Sequence, residues 1–279
     1  MTGVTDLDAL AALYPEQPGR LRHDLTGHPL FELDALVALA GRMRSADVEY
    51  NRGDLAVGVD PAADIFNGLT VAETIRGIEQ NRSWMVMKFI EQDPTYRMLL
   101  DNILDALMPV VGDVTGPMLK REGFIFISSP GAVTPFHFDP EHNILMQVRG
   151  TKAMTLFPAD DEAIVAGIEH ERFHIGGHRN LPWREEIADS GRVFDLAVGD
   201  AVYVPVKAPH WVQNGPGVSI SLSVTWRSAW SYMEADARGL NSVLRRAGLT
   251  PTAPKRFPNR NLPKSLGYRI IRKVRRLLA

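Results

Sequence analysis

The sequence predicts a mainly β protein with added α-helix: an antiparallel barrel or sandwich between a helical N-terminal region and a helical C-terminal extension. Three observations lead there. From about residue 121 the pattern becomes short β-type runs, at Phe124–Ser128, Ile144–Arg149, Lys152–Phe157, Ala201–Pro205 and Val218–Trp226. Turn residues punctuate these runs: Gly150-Thr151 reads as a hairpin turn, Gly199-Asp200 precedes one strand and Gly215-Pro216-Gly217 another. On either side of the block, apolar residues recur at helical spacing.

The helical elements carry their own signals. Leu33, Leu36, Val37, Leu39 and Ala40 form one stripe. Thr70-Val71-Ala72-Glu73 is a capping box opening a second helix through Ile75 and Ile78, and Asp93-Pro94 caps a third that carries Leu99, Leu100, Ile103, Leu104 and Leu107. Within the β block, residues 158–193 read as a long polar insertion. After Trp226 the chain returns to helix, crosses a linker with Pro251, Pro254, Pro258 and Pro263, and ends in an amphipathic stretch whose Leu266, Ile270, Val274 and Leu277 share a face. The organisation expected is a mostly helical region over 1–120, a β core over 121–230 and a basic helical extension over 231–279.

Composition narrows the chemistry. The 279 residues include no cysteine, which excludes disulfides, thiolate zinc sites, iron–sulfur clusters and cysteine nucleophiles. Any metal must be held by His, Asp or Glu. No basic leader and no apolar run of about 20 residues is visible, so a cytoplasmic protein is expected. The net charge of −2 conceals a split. Residues 237–279 hold 12 Lys and Arg and no acid, which leaves 19 bases against 33 acids before them, a body of −14 and a tail of +12. Such a tail has three candidate partners: an anionic membrane surface, a nucleic acid, or protein, the last being the chain's own acidic body or a second copy in a homodimer.

The residues that carry chemistry lie in Thr134-Pro135-Phe136-His137-Phe138-Asp139 and, far downstream, Pro209-His210-Trp211. On an extended strand residues i and i+2 point to the same side, so His137 and Asp139 can aim an imidazole and a carboxylate at one point. A His-x-Asp alone is common at surfaces and turns. With His210 brought across by a barrel it completes two His and one carboxylate, the facial set of non-haem Fe(II) oxygenases. Lys152 and Thr134 stand where strands could present a cation and a hydroxyl to an anionic cosubstrate. His170, His174 and His178, spaced i, i+4, i+8, are a second histidine cluster. Gly176-Gly177 breaks the helix before the third, and the interleaved Glu169, Glu171, Arg172 and Arg179 favour a solvated insertion at the substrate mouth.

Over 123–157 and 199–226 the sequence resembles the JmjC and cupin-like family of Fe(II)/2-oxoglutarate-dependent oxygenases, which includes the asparaginyl hydroxylase of hypoxia-inducible factor; the helical front around HPLFELDALVALA resembles its bacterial branch. The shared pattern is His-x-Asp with a Thr three residues before the His, an Asn six after it and a Lys fifteen after it. The resemblance implies a double-stranded β-helix, or jelly roll. It further implies that His137, Asp139 and His210 bind iron, that Lys152 pairs with the 5-carboxylate of 2-oxoglutarate, that Thr134 hydrogen-bonds the same carboxylate and that Asn143 lines the pocket. Fe(II), 2-oxoglutarate and molecular oxygen are the cofactors so implied, and the activity is that of a dioxygenase, a hydroxylase of a protein side chain or a small metabolite. Two rivals remain at this point: a metal-binding cupin that does not use 2-oxoglutarate, and a non-catalytic JmjC-like binding module. On the strand at 218–226, Ser221, Ser223 and Thr225 alternate with apolar residues, and which row faces inward is left open.

Overall fold

The computed structural model describes residues 3–54, 56–58 and 66–278, so Met1, Thr2 and Ala279 of the expected terminal regions lie outside it. Eleven strands among these residues form two antiparallel sheets. In chain order they are β1 (Gly19–Arg22), β2 (Val48–Arg52), β3 (Ser83–Lys88), β4 (Leu119–Ser128), β5 (Val133–His137), β6 (His142–Arg149), β7 (Lys152–Leu156), β8 (Arg192–Leu196), β9 (Asp200–Val204), β10 (His210–Asn214) and β11 (Ser219–Arg227). The larger sheet runs β1-β9-β6-β11-β4-β3-β2 and the smaller β5-β10-β7-β8. From β4 to β11 the chain passes from one sheet to the other at every connection but one, that between β7 and β8. This is the winding of a jelly roll, the cupin-type core that the resemblance implies.

That winding corrects one expectation. Gly150-Thr151 does not close a hairpin, because β6 and β7 lie in different sheets; it is a corner at which the chain changes layer. Only glycine fits there. Gly150 has φ +70, and a Cβ would stand 2.3 Å from the carbonyl oxygen of Val218.

The helices are α1 (Leu7–Leu13), α2 (Leu33–Ala40), α3 (Val71–Arg76), α4 (Pro94–Thr115), α5 (Gly167–Phe173), α6 (Ala229–Arg246) and α7 (Leu262–Leu278). The capping signals act as read. Thr70 and Glu73 form a reciprocal capping box at α3, and the Asp93 side chain accepts from the amides of Thr95 and Tyr96 at the start of α4. The first 120 residues are not helical throughout, however. They also contribute β1, β2 and β3, which lengthen the large sheet at both edges.

The central strands β6, β9 and β11 of the large sheet bury both rows, whereas edge strand β1 alternates buried and exposed residues. Ile125 and Ile127 of β4, Ile144 and Met146 of β6, and Ile220, Leu222, Val224 and Trp226 of β11 face the helical layer, where they pack with Leu99, Leu100, Ile103 and Leu107 of α4. The opposite rows face the barrel interior. There Leu145, Met154, Leu156, Phe194, Leu196, Val202 and Val204 close one end with an apolar plug.

The polar insertion expected over 158–193 ends where β8 begins and is only partly solvated. Ile164, Val165, Leu181 and Ile187 bury against Phe136, Phe138 and Phe157 on the outer side of the small sheet. His170 and Glu171 of α5 are each 2% exposed. The cause lies far along the chain: Glu171 accepts two charge-assisted bonds from Arg245 of α6 at 2.8 and 3.0 Å, and His170 stacks on Phe138 with ring centroids 4.8 Å apart. His178 alone of the three histidines is exposed.

At the C-terminus α7 lies on α6 by its polar side. Asp236 accepts from Ser265 Oγ at 2.9 Å and from Arg269 Nε at 2.6 Å, and Gly239 lets the Tyr268 ring approach where a Cβ would stand 2.4 Å from it. The shared face read from the sequence therefore points outward. Leu266, Ile270, Val274 and Leu277 are 56, 64, 48 and 77% exposed. Part of the tail's charge is matched by the body, through Arg256–Glu16 and Arg245–Glu171.

Candidate metal centre

His137 ends β5 and His210 opens β10, and the two are direct antiparallel partners. Asp139 follows two residues after His137, on the loop to β6. Its backbone is fixed by the Lys207 amide, which donates to the Asp139 carbonyl at 2.8 Å. Strand pairing thus brings residues 73 positions apart to one point. Among the described residues this is the one group of three such side chains whose ligand atoms all lie within 4.8 Å of one another.

The donor atoms are presented ready for a cation. His137 Nδ1 lies 2.7 Å from the carbonyl of Pro135, and His210 Nδ1 2.9 Å from that of Ala208. A carbonyl can only accept, so each Nδ1 carries the proton and each Nε2 offers its lone pair. Asp139 Oδ2 stands 3.9 Å from His137 Nε2 and 3.8 Å from His210 Nε2. Burial, and then the neighbouring His210, holds the His137 imidazole at about 3, so it is neutral at physiological pH. Burial pushes the Asp139 carboxyl up, but the Arg179 guanidinium and the two imidazoles outweigh it and the net direction is down. Neutral imidazoles beside an ionised carboxylate fit a divalent transition metal.

A cavity opens beside these three residues, and every other sequence-named site residue lines it: Thr134, Asn143 and Lys152, with Ser223 and Thr225 of β11. The inward row of β11 is therefore the polar one. Ser221 Oγ donates to Gln147 Oε1 at 2.7 Å, Ser223 Oγ to Asn143 Oδ1 at 2.5 Å, and Thr225 Oγ1 to the Glu122 carbonyl at 3.2 Å. Lys152 is 6% exposed, and burial alone lowers its ammonium to about 7. No acid among the described residues opposes that effect. An ammonium held in a cavity without a counter-charge is a fitted seat for a carboxylate.

Sequence reasoning missed several lining residues. Trp84 and Lys88 come from β3, a strand the helical reading of the N-terminal region does not anticipate. Glu141, two residues past Asp139, is pushed up to about 7 by burial and then by Asp139, with Arg227 3.8 Å away. Its position continues the i, i+2 alternation of His137 and Asp139, a signal that was available. Arg179, from the stretch between β7 and β8, donates through Nη1 to Asp139 Oδ1 at 2.8 Å. His170 and His174 stay outside the centre: burial drives both well below the usual histidine range, and they sit with Lys207, Glu234 and Arg238 behind the Asp139 loop.

With this geometry in hand, comparison with known proteins gives the class. The Cupin-like domain family matches residues 80–232, more than half of the chain, and the chain belongs to that family. A lysine-specific demethylase of Arabidopsis thaliana, JMJ30, is 27% identical over 214 residues, covering 74% of this chain and 46% of that protein. Jumonji C domain-containing protein 5 of Drosophila melanogaster is 28% identical over 110 residues, 36% of this chain and 26% of that one. The chain thus matches less than half the length of these curated relatives. Among solved structures, the Escherichia coli ribosomal oxygenase YcfD in complex with cobalt and 2-oxoglutarate superposes with a TM-score of 0.52 at 15% identity, covering 99% of this chain and 67% of that one. The likeness to YcfD is one of fold.

Proposed function

We propose that this chain is an Fe(II)/2-oxoglutarate-dependent oxygenase, a hydroxylase whose substrate is a protein side chain or a small molecule. One observation carries the reading. Three metal-ready donors and a buried ammonium without a counter-charge among the described residues share one cavity. The names of the relatives, a lysine-specific demethylase and a ribosomal oxygenase, favour a protein side chain among the substrates.

His137, Asp139 and His210 would hold the iron, which with 2-oxoglutarate and oxygen supplies oxidative decarboxylation to succinate and carbon dioxide, coupled to hydroxylation. The chain's own part is binding and orientation. Lys152 takes the distal carboxylate by charge, Thr134 donates its hydroxyl to the same group, and Asn143, held by Ser223, lines the wall. Phe126, Leu145, Met154 and Val212 keep the inner end of the cavity apolar, which strengthens the Lys152 ion pair by excluding water. A cupin that binds metal without a 2-oxo acid has no use for Lys152, and its burial would be an uncompensated cost.

Ferrous iron and 2-oxoglutarate are both supplied in the cell interior, so we assign the reaction to the cytoplasm. Among the described residues no helix is long and apolar enough to cross a membrane. The outward stripe of α7 is assigned to a homodimer contact, since it gives a second copy an apolar surface to cover. The test of the activity is succinate release from 2-oxoglutarate with Fe(II) and oxygen, followed by NMR, with wild type against His137→Ala. Succinate from the wild type alone supports the reading. No succinate from the wild type, with candidate protein substrates present, overturns it.

A further inference from the structure

We infer that Arg179 is a positioning residue of the metal centre: it engages one oxygen of Asp139 so that the carboxylate offers the metal the other oxygen alone. The inference rests on the proposed iron site and adds to it a residue from outside the jelly-roll strands.

The two oxygens of Asp139 have different surroundings. Oδ2 faces the imidazoles, 3.9 Å from His137 Nε2 and 3.8 Å from His210 Nε2. Oδ1 accepts from Arg179 Nη1 at 2.8 Å, a charge-assisted bond of full strength in length. Half-exposed ion pairs are often worth little, because holding a long side chain in place costs entropy and water screens the charge. This one is anchored. The Leu181 amide donates to the Phe136 carbonyl at 2.8 Å, and Asn180 bridges His137 in antiparallel fashion, so the segment carrying Arg179 lies along β5 beside the ligand strand. Arg179 has no other acid partner among the described residues, while its side chain is 50% exposed and that of Asp139 only 16%. The guanidinium thus comes from the cavity rim to a carboxylate that is itself half-buried.

The consequence concerns open positions. Two imidazoles and one carboxylate oxygen leave three places on an octahedral cation, two for a 2-oxo acid and one for oxygen. A carboxylate free to turn both oxygens to the metal would take one of those three. Arg179 removes that option by occupying Oδ1. The guanidinium charge also opposes the incoming cation, an effect of opposite sign on affinity, so occupancy of the open positions is the decisive readout.

The experiment uses Mn(II) as the probe metal, at saturation, on the full chain as wild type, Arg179→Ala, Arg179→Lys and Arg179→Gln. Water-proton relaxation reports exchangeable waters on the bound Mn(II), and calorimetry gives 2-oxoglutarate affinity for the loaded protein. For Arg179→Ala the expected result is weaker relaxation per bound Mn(II) and an affinity for 2-oxoglutarate at least tenfold lower, with Lys and Gln, which each keep a donor, intermediate. Unchanged relaxation overturns the inference, also where 2-oxoglutarate affinity falls, because Arg179 would then act on the anion directly. Should the Ala variant fail to fold, Arg179→Met, which keeps the stem and has no donor, carries the same test, and relaxation equal to wild type refutes it. Failure of the wild type to bind Mn(II) would overturn the metal site itself, a result distinct from wild type binding with the variants unchanged.

Discussion

Lys152 gives the sharpest quantitative test, because its burial is costly in the free protein and useful only with an anion in place. Its ammonium is lowered from 10.5 to about 7 by burial alone. At about 1.36 kcal/mol for each pH decade, that difference is a penalty on the order of 5 kcal/mol when the group is charged in the folded state. The sign follows from proton counting. Between pH 7 and 10.5 the unfolded chain holds the proton and the folded chain does not, so stability from this group rises with pH across that window. Below pH 7 both states are protonated and the full penalty applies. Lys152→Met keeps the volume without the charge, so its stability relative to wild type should be greatest near pH 6 and decline toward pH 10.

Urea unfolding of both proteins at pH 6, 8 and 10 measures that difference directly. The expected gain at pH 6 over pH 10 is a few kcal/mol, with 5 as its ceiling. The same variant should bind 2-oxoglutarate in the Mn(II)-loaded form about 100-fold more weakly, since a carboxylate left without its buried partner costs about 3 kcal/mol. Calorimetry in two buffers of different ionisation enthalpy adds a third readout. With Lys152 at about 7 when free and charged when bound, the wild type takes up about 0.9 proton at pH 8 and the variant none from this group. A stability difference that is flat with pH, or equal 2-oxoglutarate affinity, would refute the reasoning.

Three further outcomes are expected. Single alanine substitutions of His137, Asp139 or His210 should each lower Mn(II) affinity by at least tenfold, and from pH 8 to pH 6 wild-type affinity should fall by well under tenfold per pH unit, because burial keeps both imidazoles neutral while only the neighbouring Lys152 and Glu141 gain protons; calorimetry that found a tenfold loss per pH unit there would contradict this. Ile270→Glu on the exposed stripe of α7 should convert a dimer to a monomer by light scattering, whereas salt-sensitive binding of anionic vesicles or nucleic acid with an unchanged mass would assign that face to another partner. Gly239→Ala should destabilise the protein by about 1–3 kcal/mol in urea unfolding, because the Tyr268 ring 2.4 Å from the new Cβ must move with α7.

What the sequence made legible follows the range of the interactions involved. Caps at Thr70 and Asp93 are written within a few residues and form as read, and the i, i+2 spacing of His137 and Asp139 does bring an imidazole and a carboxylate to one point. His210, which joins them across the strand pairing, was accessible because a facial metal set would demand a third donor of that type. β1, β2 and β3 were not, since runs such as Gly19–Arg22 or Val48–Arg52 mix charge with apolar residues and become strands by pairing with β9 and β4 or with one another. The same holds for α5. Its His170 and Glu171 look like surface residues until Phe138 and Arg245, distant in sequence, cover them. Arg179 reaches Asp139 across 40 positions, and nothing near it in sequence announces the contact.

β11 shows why the face of a strand can be unreadable even when the strand itself is plain. The usual rule sends the polar row to solvent, but here both rows are buried. The helical layer covers Ile220, Leu222, Val224 and Trp226, so Ser219, Ser221, Ser223 and Thr225 must enter the barrel. Burying four hydroxyls is tolerable only when each finds a partner, and Gln147, Asn143 and the Glu122 carbonyl supply them along the row. The neighbouring strands respond in kind: Asn143 and Gln147 share the inward row of β6 with Leu145 between them. The barrel is therefore divided in its interior. Leu156, Phe194, Leu196, Val202 and Val204 fill one part as dry core, and the polar part, bounded by Ser223, Asn143 and Thr225, stays open as the cavity into which Lys152 and the three metal-ready donors project. A wholly apolar interior would pack better, and it would leave no open cavity between the three donors and the Lys152 ammonium.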